Sequence, residues 1–341
     1  MSANVTGLLS LTTEATPVLF ISFEMYRLIS RICYYALFPC IGVIGILGNV
    51  TNIVILARQG FRKCSNILLF SLSVSDCLFL IGVNNIPIQL YLEYSKFRFS
   101  ETLNSMCFVL YMICSCANDF GLFSSVIIPV LITDERILAI FYPFQAYVIL
   151  TPRLTVIVLS CLYIVDGIFC LYAVPLSYQL QNVLINDVVV GVIGPSDMRK
   201  IHERSGVKQV IDQIVNYMTG VIPISLVTLG CIVIGLRIVQ ITNRRRQLTS
   251  SQVTASSKHG ITKTTKTLLK ICLLYIVFYG STFIASFVLQ SEILEGQLTT
   301  QSIIQRFHYL VLIINCVGNF LIYFGALHQF RKSSVVGQRQ E

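Results

Sequence analysis

Seven segments of this chain, 36–57, 67–91, 106–133, 154–176, 214–241, 268–290 and 307–327, are each apolar over about the 20 residues that a helix needs to cross a bilayer. Lipid offers no partner to a loose backbone N–H or C=O, so each segment must be helical. The expected fold is all-α, a seven-transmembrane helix bundle. Residues 1–35 precede the bundle, 36–327 form it and 328–341 follow it. The fifth span has a blurred start after GVKQVIDQIVNYM, and 177–213 is a longer polar segment in which Gly191, Gly194 and Pro195 read as a turn cluster.

The composition agrees with a membrane protein. Only 12% of residues are charged, against about 25% in soluble domains, and the mean hydropathy is +0.75. Most of the twelve cysteines sit in apolar stretches, as Cys77, Cys161, Cys231 and Cys316 do, and read as small core hydrophobes rather than a disulfide framework. Residues 1–30 lack the basic-then-apolar pattern of a cleaved signal peptide, so the first apolar segment is expected to act as an uncleaved signal anchor. Asn4-Val5-Thr6 makes Asn4 a candidate glycosylation site; Asn49-Val50-Thr51 fits the same pattern inside a span, where no sugar is attached.

Charge sets the expected orientation. With the N-terminus outside, nine of the 25 Lys and Arg fall on the outer side and the other 16 on the inner side, where Asp134, Glu135 and Glu341 are the only acids. Basic residues favour the cytoplasmic face, so the expected location is the plasma membrane with the N-terminus extracellular. The net charge of +9 is thus a topology signal. Arg244, Arg245 and Arg246, with Lys258, Lys263, Lys266 and Lys270, are candidate contacts for anionic membrane lipids, and no nucleic acid is expected as a partner.

Asp76, Asp119 and Asp166 fall within spans. An Asp in the hydrocarbon costs roughly 2.5–3.5 kcal/mol on insertion scales and normally faces the bundle interior with a polar partner. Asn49, Ser125, Asn315 and Asn319 are the natural partners of Asp76; Asn315 and Asn319, four apart, share a helix face. Asp134-Glu135-Arg136 stands where the third span meets the cytoplasm. Its charges reach the interface or a wet cavity between helices, and the simpler reading is a helix-end cluster that orients the span.

In these residues the chain resembles the rhodopsin-like (class A) G-protein-coupled receptors. Gly48-Asn49 matches the first-span motif, Leu72 to Asp76 the second, Glu135-Arg136-Ile137 part of the third-span triplet, and Asn319-Phe320-Leu321-Ile322-Tyr323 part of the seventh-span motif. Pro223 matches the fifth-span proline and Pro175 one near the outer end of the fourth. Phe330-Arg331 has the spacing of the pair that opens the family's short amphipathic C-terminal helix. The resemblance covers about 36–335. Within the superfamily, ARQGFRKCSNILLFSLSVSD and LAIFYPFQAYVILTPRLTVIVL are most similar to the gastropod mollusc chemosensory receptors and, less closely, to invertebrate FMRFamide-type peptide receptors.

Several departures bear on mechanism. Ile137 replaces the triplet's aromatic, Phe320 replaces the seventh-span proline, and no Trp occurs anywhere, so the fourth-span Trp and the sixth-span toggle are missing. The sixth span has no proline to kink it, which leaves Gly280 as the one source of bending. No acid lies between 244 and 291, so the family's lock between Arg136 and the base of the sixth span cannot form. The cysteines of the family's outer disulfide depart from the pattern too. Cys107 lies one turn before the usual position, occupied by Tyr111, and 177–213 holds no cysteine, which leaves Cys33 as its candidate partner.

The resemblance implies roles. Arg136, paired with Glu135 or Asp134 at rest, would contact a heterotrimeric G protein once the sixth span swings away. Asn319 and Tyr323 would act as inner switch residues; the usual fifth-span partner of Tyr323 is Cys231 here. Asn49, Asp76, Ser125, Asn315 and Asn319 would form the polar core, where hard oxygen donors suit an allosteric sodium ion at Asp76; a polar core without an ion, or a protonated Asp76, is the alternative. A pocket for an extracellular small molecule or peptide, whether chemosensory cue or neuropeptide, would open between spans 3, 5, 6 and 7. Its candidates are Asn118, Asp119, Phe123, Tyr279, Phe283, Gln290, Phe307 and His308. The acid of amine receptors would stand at Asn118, so Asp119 is one residue, about 100°, away around the helix. Ser and Thr at 249–257, with Ser333 and Ser334, are candidate phosphorylation sites for arrestin.

No enzyme is expected: the four histidines are scattered, and no nucleophile elbow or phosphate loop is present. The alternative is a multi-pass transporter or channel without G-protein coupling. It calls for internal repeats and matching broken spans, and the sequence has neither.

Overall fold

The computed structural model describes residues 23–94, 96–185, 188–248, 259–289 and 298–337. It is a helical bundle with one small hairpin. The first span begins earlier than the sequence suggests: α1 (Phe23–Ile32) passes through a π-helical turn, Cys33–Leu37, into α2 (Phe38–Gln59). Then come α3 (Cys64–Val83), α4 (Ile86–Tyr94), α5 (Glu101–Phe141), α6 (Pro143–Ile149) and α7 (Pro152–Ala173). The hairpin of β1 (Tyr178–Ile185) and β2 (Val188–Pro195) follows, with α8 (Asp197–Arg204) and α9 (Val207–Asn216). A second π-helical turn, Tyr217–Val221, leads into α10 (Ile222–Leu248); α11 (His259–Leu289) and α12 (Leu298–Gly337) complete the bundle.

Six of the described helices are long and apolar enough to cross a membrane: Glu24–Gln59, Cys64–Tyr91, Glu101–Phe141, Pro152–Ala173, Val207–Ile241 and Thr300–Gly325. The shorter apolar helix Leu269–Ala285 stands where the sixth span is expected. Together these seven occupy the seven expected segments.

Both π-helical turns lie just before a proline, Pro39 and Pro223. Proline lacks an N–H and its ring crowds the carbonyl four residues back. A wider turn at that point absorbs the clash and lets the span continue. At the end of α7, Pro175 lies two residues beyond Ala173, where a helix is free to stop.

The long helix α5 is the centre of the bundle. It packs most extensively on α3 and also touches α7, α10 and α11, while α12 packs between α2 and α11. Glycine makes the α3–α5 approach possible. A Cβ at Gly82 would lie 2.2 Å from the backbone N of Asn118, and one at Gly121 would lie 2.3 Å from that of Phe79. Small residues at helix crossings are how spans pack where no hydrophobic effect drives them together. The core includes Phe79, Leu80, Ile128, Ile132, Ile271, Leu312 and Ile313, all nearly inaccessible.

Three expectations are corrected. Gly191, Gly194 and Pro195 do not form a turn but lie in β2, where Gly191 faces Asn182 and also bridges Phe97. Missing a side chain at Gly191 lets the strand approach Asn104 of α5, whose Cβ would be 3.1 Å from one built there. Among the described residues there is no disulfide: Cys33 is a buried free thiol in the core, and Cys107 is free and half-buried. Finally, residues 328–337 continue α12 rather than forming a separate short helix.

Candidate functional site

The bundle carries its polar side chains in a column along α5. Midway, Asp76 of α3 is fully inaccessible. Ser125 Oγ of α5 donates to its Oδ1 at 2.9 Å, and Asn319 Nδ2 of α12 donates to its Oδ2 at 3.0 Å. One carboxylate therefore joins three helices. A buried carboxylate is tolerated when its lone pairs are taken by donors. Asn49 is buried beside this junction and donates from Nδ2 to the carbonyls of Gly45, at 3.0 Å, and Cys316, at 3.3 Å, tying α2 to α12. Asn315 is also buried, and its Oδ1 accepts no hydrogen bond.

At the other end of the column, Arg136 Nη2 donates to both oxygens of Glu135, at 2.9 and 3.1 Å. Asp134 is exposed and takes no part in this pair. One turn back, Thr133 Oγ1 and Cys272 Sγ of α11 are 3.4 Å apart, and Cys231 of α10 packs against the core cluster that contains Cys272. Where an acid is missing, α11 is joined to α5 by a hydroxyl and a thiol. Tyr323 is buried and its hydroxyl lies 3.5 Å from Gln59 Oε1 of α2. Phe320, in the position of the missing proline, fits over Gly48, where a Cβ would be 2.5 Å from its ring.

The candidate ligand residues stand in different surroundings, and Phe123 is the one that lines the cavity described below. Asn118 is buried and donates to Asp119 at 3.0 Å. Phe123 lines a cavity of about 230 Å³ together with Phe169 and Tyr172 of α7, Tyr178 of β1, Arg199 of α8 and Lys208 of α9. That cavity lies on the α7–α9 side of α5, not between spans 3, 5, 6 and 7. Its rim charges are paired, Arg199 with Glu203 at 2.8 Å and Lys208 with Asp212 at 2.5 Å. Arg199 also stacks over Tyr178 at 4.7 Å. Partial burial acts to lower the pKa of Arg199, but its bonds to Glu203 and Tyr178 outweigh that and the net shift is upward.

Tyr279 belongs to the hydrophobic core, stacked on Tyr275 at 4.5 Å, and Phe283 lies against Gly220 in the second π-helical turn. Phe307 is 54% exposed. One residue beyond the buried Arg306, it is turned about 100° around α12 onto the outer surface. His308 is half-buried beside Tyr309. Gln290 and Asn4 lie outside the described residues.

Besides the Thr133–Cys272 contact, sequence reasoning missed two further polar contacts of note. Ser124 Oγ donates to the buried Asp166 of α7 at 2.8 Å, so adjacent serines on α5 serve two intramembrane acids. The signal was the same as for Asp76, an acid in a span, but no partner spacing marked it. The second contact, between Arg306 of α12 and Tyr34 of the first π-helical turn, carried no sequence signal.

Comparison with known proteins agrees with this geometry. The family described as "7 transmembrane receptor (rhodopsin family)" matches residues 48–323. The chain is similar to an FMRFamide receptor of Drosophila melanogaster, 26% identical over 83% of this chain and 49% of that protein. It is also similar to neuromedin-U receptor 1 of Homo sapiens, 31% identical over 40% of this chain and 30% of that protein, and to C-C chemokine receptor type 3 of Cavia porcellus, 34% identical over 31% and 27%. The matched stretches thus span about half or less of these relatives. A carboxylate joining three spans, an Arg–Glu pair at the end of the central helix and a family match over most of the bundle lead to one assignment: the chain is a multi-pass membrane protein of the rhodopsin-like seven-transmembrane receptor family.

Proposed function

We propose that this chain sits in the plasma membrane with its N-terminus outside and converts binding of an extracellular ligand into guanine-nucleotide exchange on a heterotrimeric G protein. The observation that carries this reading is the column on α5. The Asp76 junction ties α3, α5 and α12 at mid-bundle, and Arg136 stands eleven residues beyond Ser125, about 16 Å along the helix. A change in how the spans pack around Asp76 is carried along α5, past Pro129, to the Arg136–Glu135 pair. Breaking that pair frees a guanidinium for the G protein. Ligand binding biases a two-state equilibrium, and the chemistry belongs to the partner.

Two relatives are named for FMRFamide and neuromedin-U, which favours a neuropeptide as the ligand. A small chemosensory molecule is the second reading, supported by the modest size of the cavity at Phe123, about 230 Å³. Asp76, Ser125 and Asn319, with the unpartnered oxygen of Asn315, fit a sodium ion by the chemistry of their donors. The ion would supply a counter-charge to the buried carboxylate. Arrestin recruitment through 249–257 concerns residues outside those described.

The test is reconstitution in nanodiscs with heterotrimeric G proteins and a peptide panel. The receptor reading predicts ligand-dependent nucleotide exchange. The transporter reading predicts solute flux with none. An N-terminal epitope tag read on intact cells tests the orientation.

A further inference from the structure

Arg306 of α12 is only 8% exposed. Its guanidinium is held from one side by Tyr34: an Nη1 group donates to the Tyr34 hydroxyl, and the cation lies 4.5 Å over the same ring. Tyr34 is itself set by the π-helical turn Cys33–Leu37 and braced edge-on by Phe38 at 5.4 Å. The fold therefore positions this cation, and among the described residues no ion pair neutralises it. Among the described residues no carboxylate lies within ion-pair distance, and Arg306 Nε is buried with no hydrogen-bond partner. Asp119, the acid of α5 that shares Tyr309 as an electrostatic neighbour with Arg306, takes its hydrogen bond from Asn118 instead.

A buried, uncompensated charge is among the costliest arrangements in a protein interior. Such a charge persists at a functional site when a ligand completes it. Aromatic contact and one neutral acceptor fix the direction of the guanidinium without cancelling its charge, and the planar fork suits a carboxylate. With the N-terminus outside, Arg306 stands at the outer end of the seventh span. We propose that Arg306 is a recognition residue for a carboxylate carried by the extracellular ligand. This deepens the receptor reading and rests on its orientation. The same chemistry is offered by a free acid and by the unamidated C-terminus of a peptide, and the test separates them.

The test has a ligand-free arm and a ligand arm, both on the full-length receptor in nanodiscs. In the first, thermal unfolding of Arg306→Met is compared with wild type. A cation held ready for a ligand is a burden to the empty receptor, so Arg306→Met unfolds at the same temperature or higher, and Tyr34→Phe changes it little. Glu292 and Glu295 precede α12 outside the described residues, and a clear fall in Arg306→Met, matched by Glu292→Gln or Glu295→Gln, would show an internal partner and overturn the proposal.

The second arm applies free L-amino acids, dicarboxylic acids and hexapeptide pools synthesised with free or amidated C-termini, read by nucleotide exchange. The active probe carries a carboxylate, and amidating or esterifying it weakens potency about 30-fold or more. Activity in the peptide pools identifies a C-terminus, and activity in the small acids a free acid. In Arg306→Met the two forms become equipotent. An active probe that is indifferent to its carboxylate on wild type overturns the proposal while leaving the receptor reading intact. Absence of exchange with every probe and every G protein counts against both. Constitutive exchange without any response to acids counts against this one alone.

Discussion

Ser125 Oγ on α5 donates to Asp76 Oδ1 on α3 at 2.9 Å, and this bond fixes the register of the two most closely packed helices of the bundle. Asn319 of α12 completes the carboxylate from the opposite side. Replacing Asp76 by Ala leaves both donors without an acceptor in a dry site. Unsatisfied buried donors cost about 1–3 kcal/mol each in soluble proteins and less in membranes, so a loss of about 2 kcal/mol is expected. Thermal unfolding in nanodiscs reads it as a fall of roughly 5 °C. Asp76→Asn keeps the shape, loses less, and abolishes any rise in unfolding temperature that sodium produces in wild type.

Gly121→Ala is expected to be more damaging than any of the polar substitutions. Its Cβ would meet the backbone of Phe79 at 2.3 Å, and backbone cannot rotate aside as a side chain can. Overpacking of this kind costs about 3 kcal/mol or more, and the receptor should largely fail to reach the cell surface. Gly280→Ala is the control. Nothing lies within 4 Å of a Cβ there, so surface expression stays at the wild-type level. Counting an extracellular epitope on intact cells decides both.

The spans were legible because a 20-residue apolar run in lipid has one solution. The partners of Asp76 were legible for a related reason: a buried carboxylate needs donors, and few polar residues share its depth. What stayed hidden was set by contact rather than period. In 178–195 the alternation is interrupted, by Gln181-Asn182 in the first half and by the run Val188-Val189-Val190 in the second, so period alone does not separate a hairpin from a loop. The placement of Phe307 outside the bundle depends on the rotation of α12, which one Arg buried against Tyr34 decides. The Thr133–Cys272 contact needed the α5–α11 crossing to be known.

That contact yields a prediction about resting activity. With no acid at the base of α11, the hydroxyl–thiol pair at 3.4 Å is the polar tether there between α5 and α11 among the described residues. Intramembrane hydrogen bonds average about 0.6 kcal/mol. Thr133→Val should therefore shift the equilibrium toward the active state about two- to threefold, seen as raised ligand-free nucleotide exchange. Basal exchange equal to wild type would mean that other contacts hold α11.

The central claim is that Glu135 holds Arg136 back from the G protein. The most direct measurement is ligand-free nucleotide exchange by wild type, Glu135→Gln and Arg136→Ala, each reconstituted at equal density with the same heterotrimer. The account predicts that Glu135→Gln exceeds wild type severalfold and that Arg136→Ala falls to the level of empty nanodiscs. Equal exchange by all three, at a level above empty nanodiscs, would contradict it.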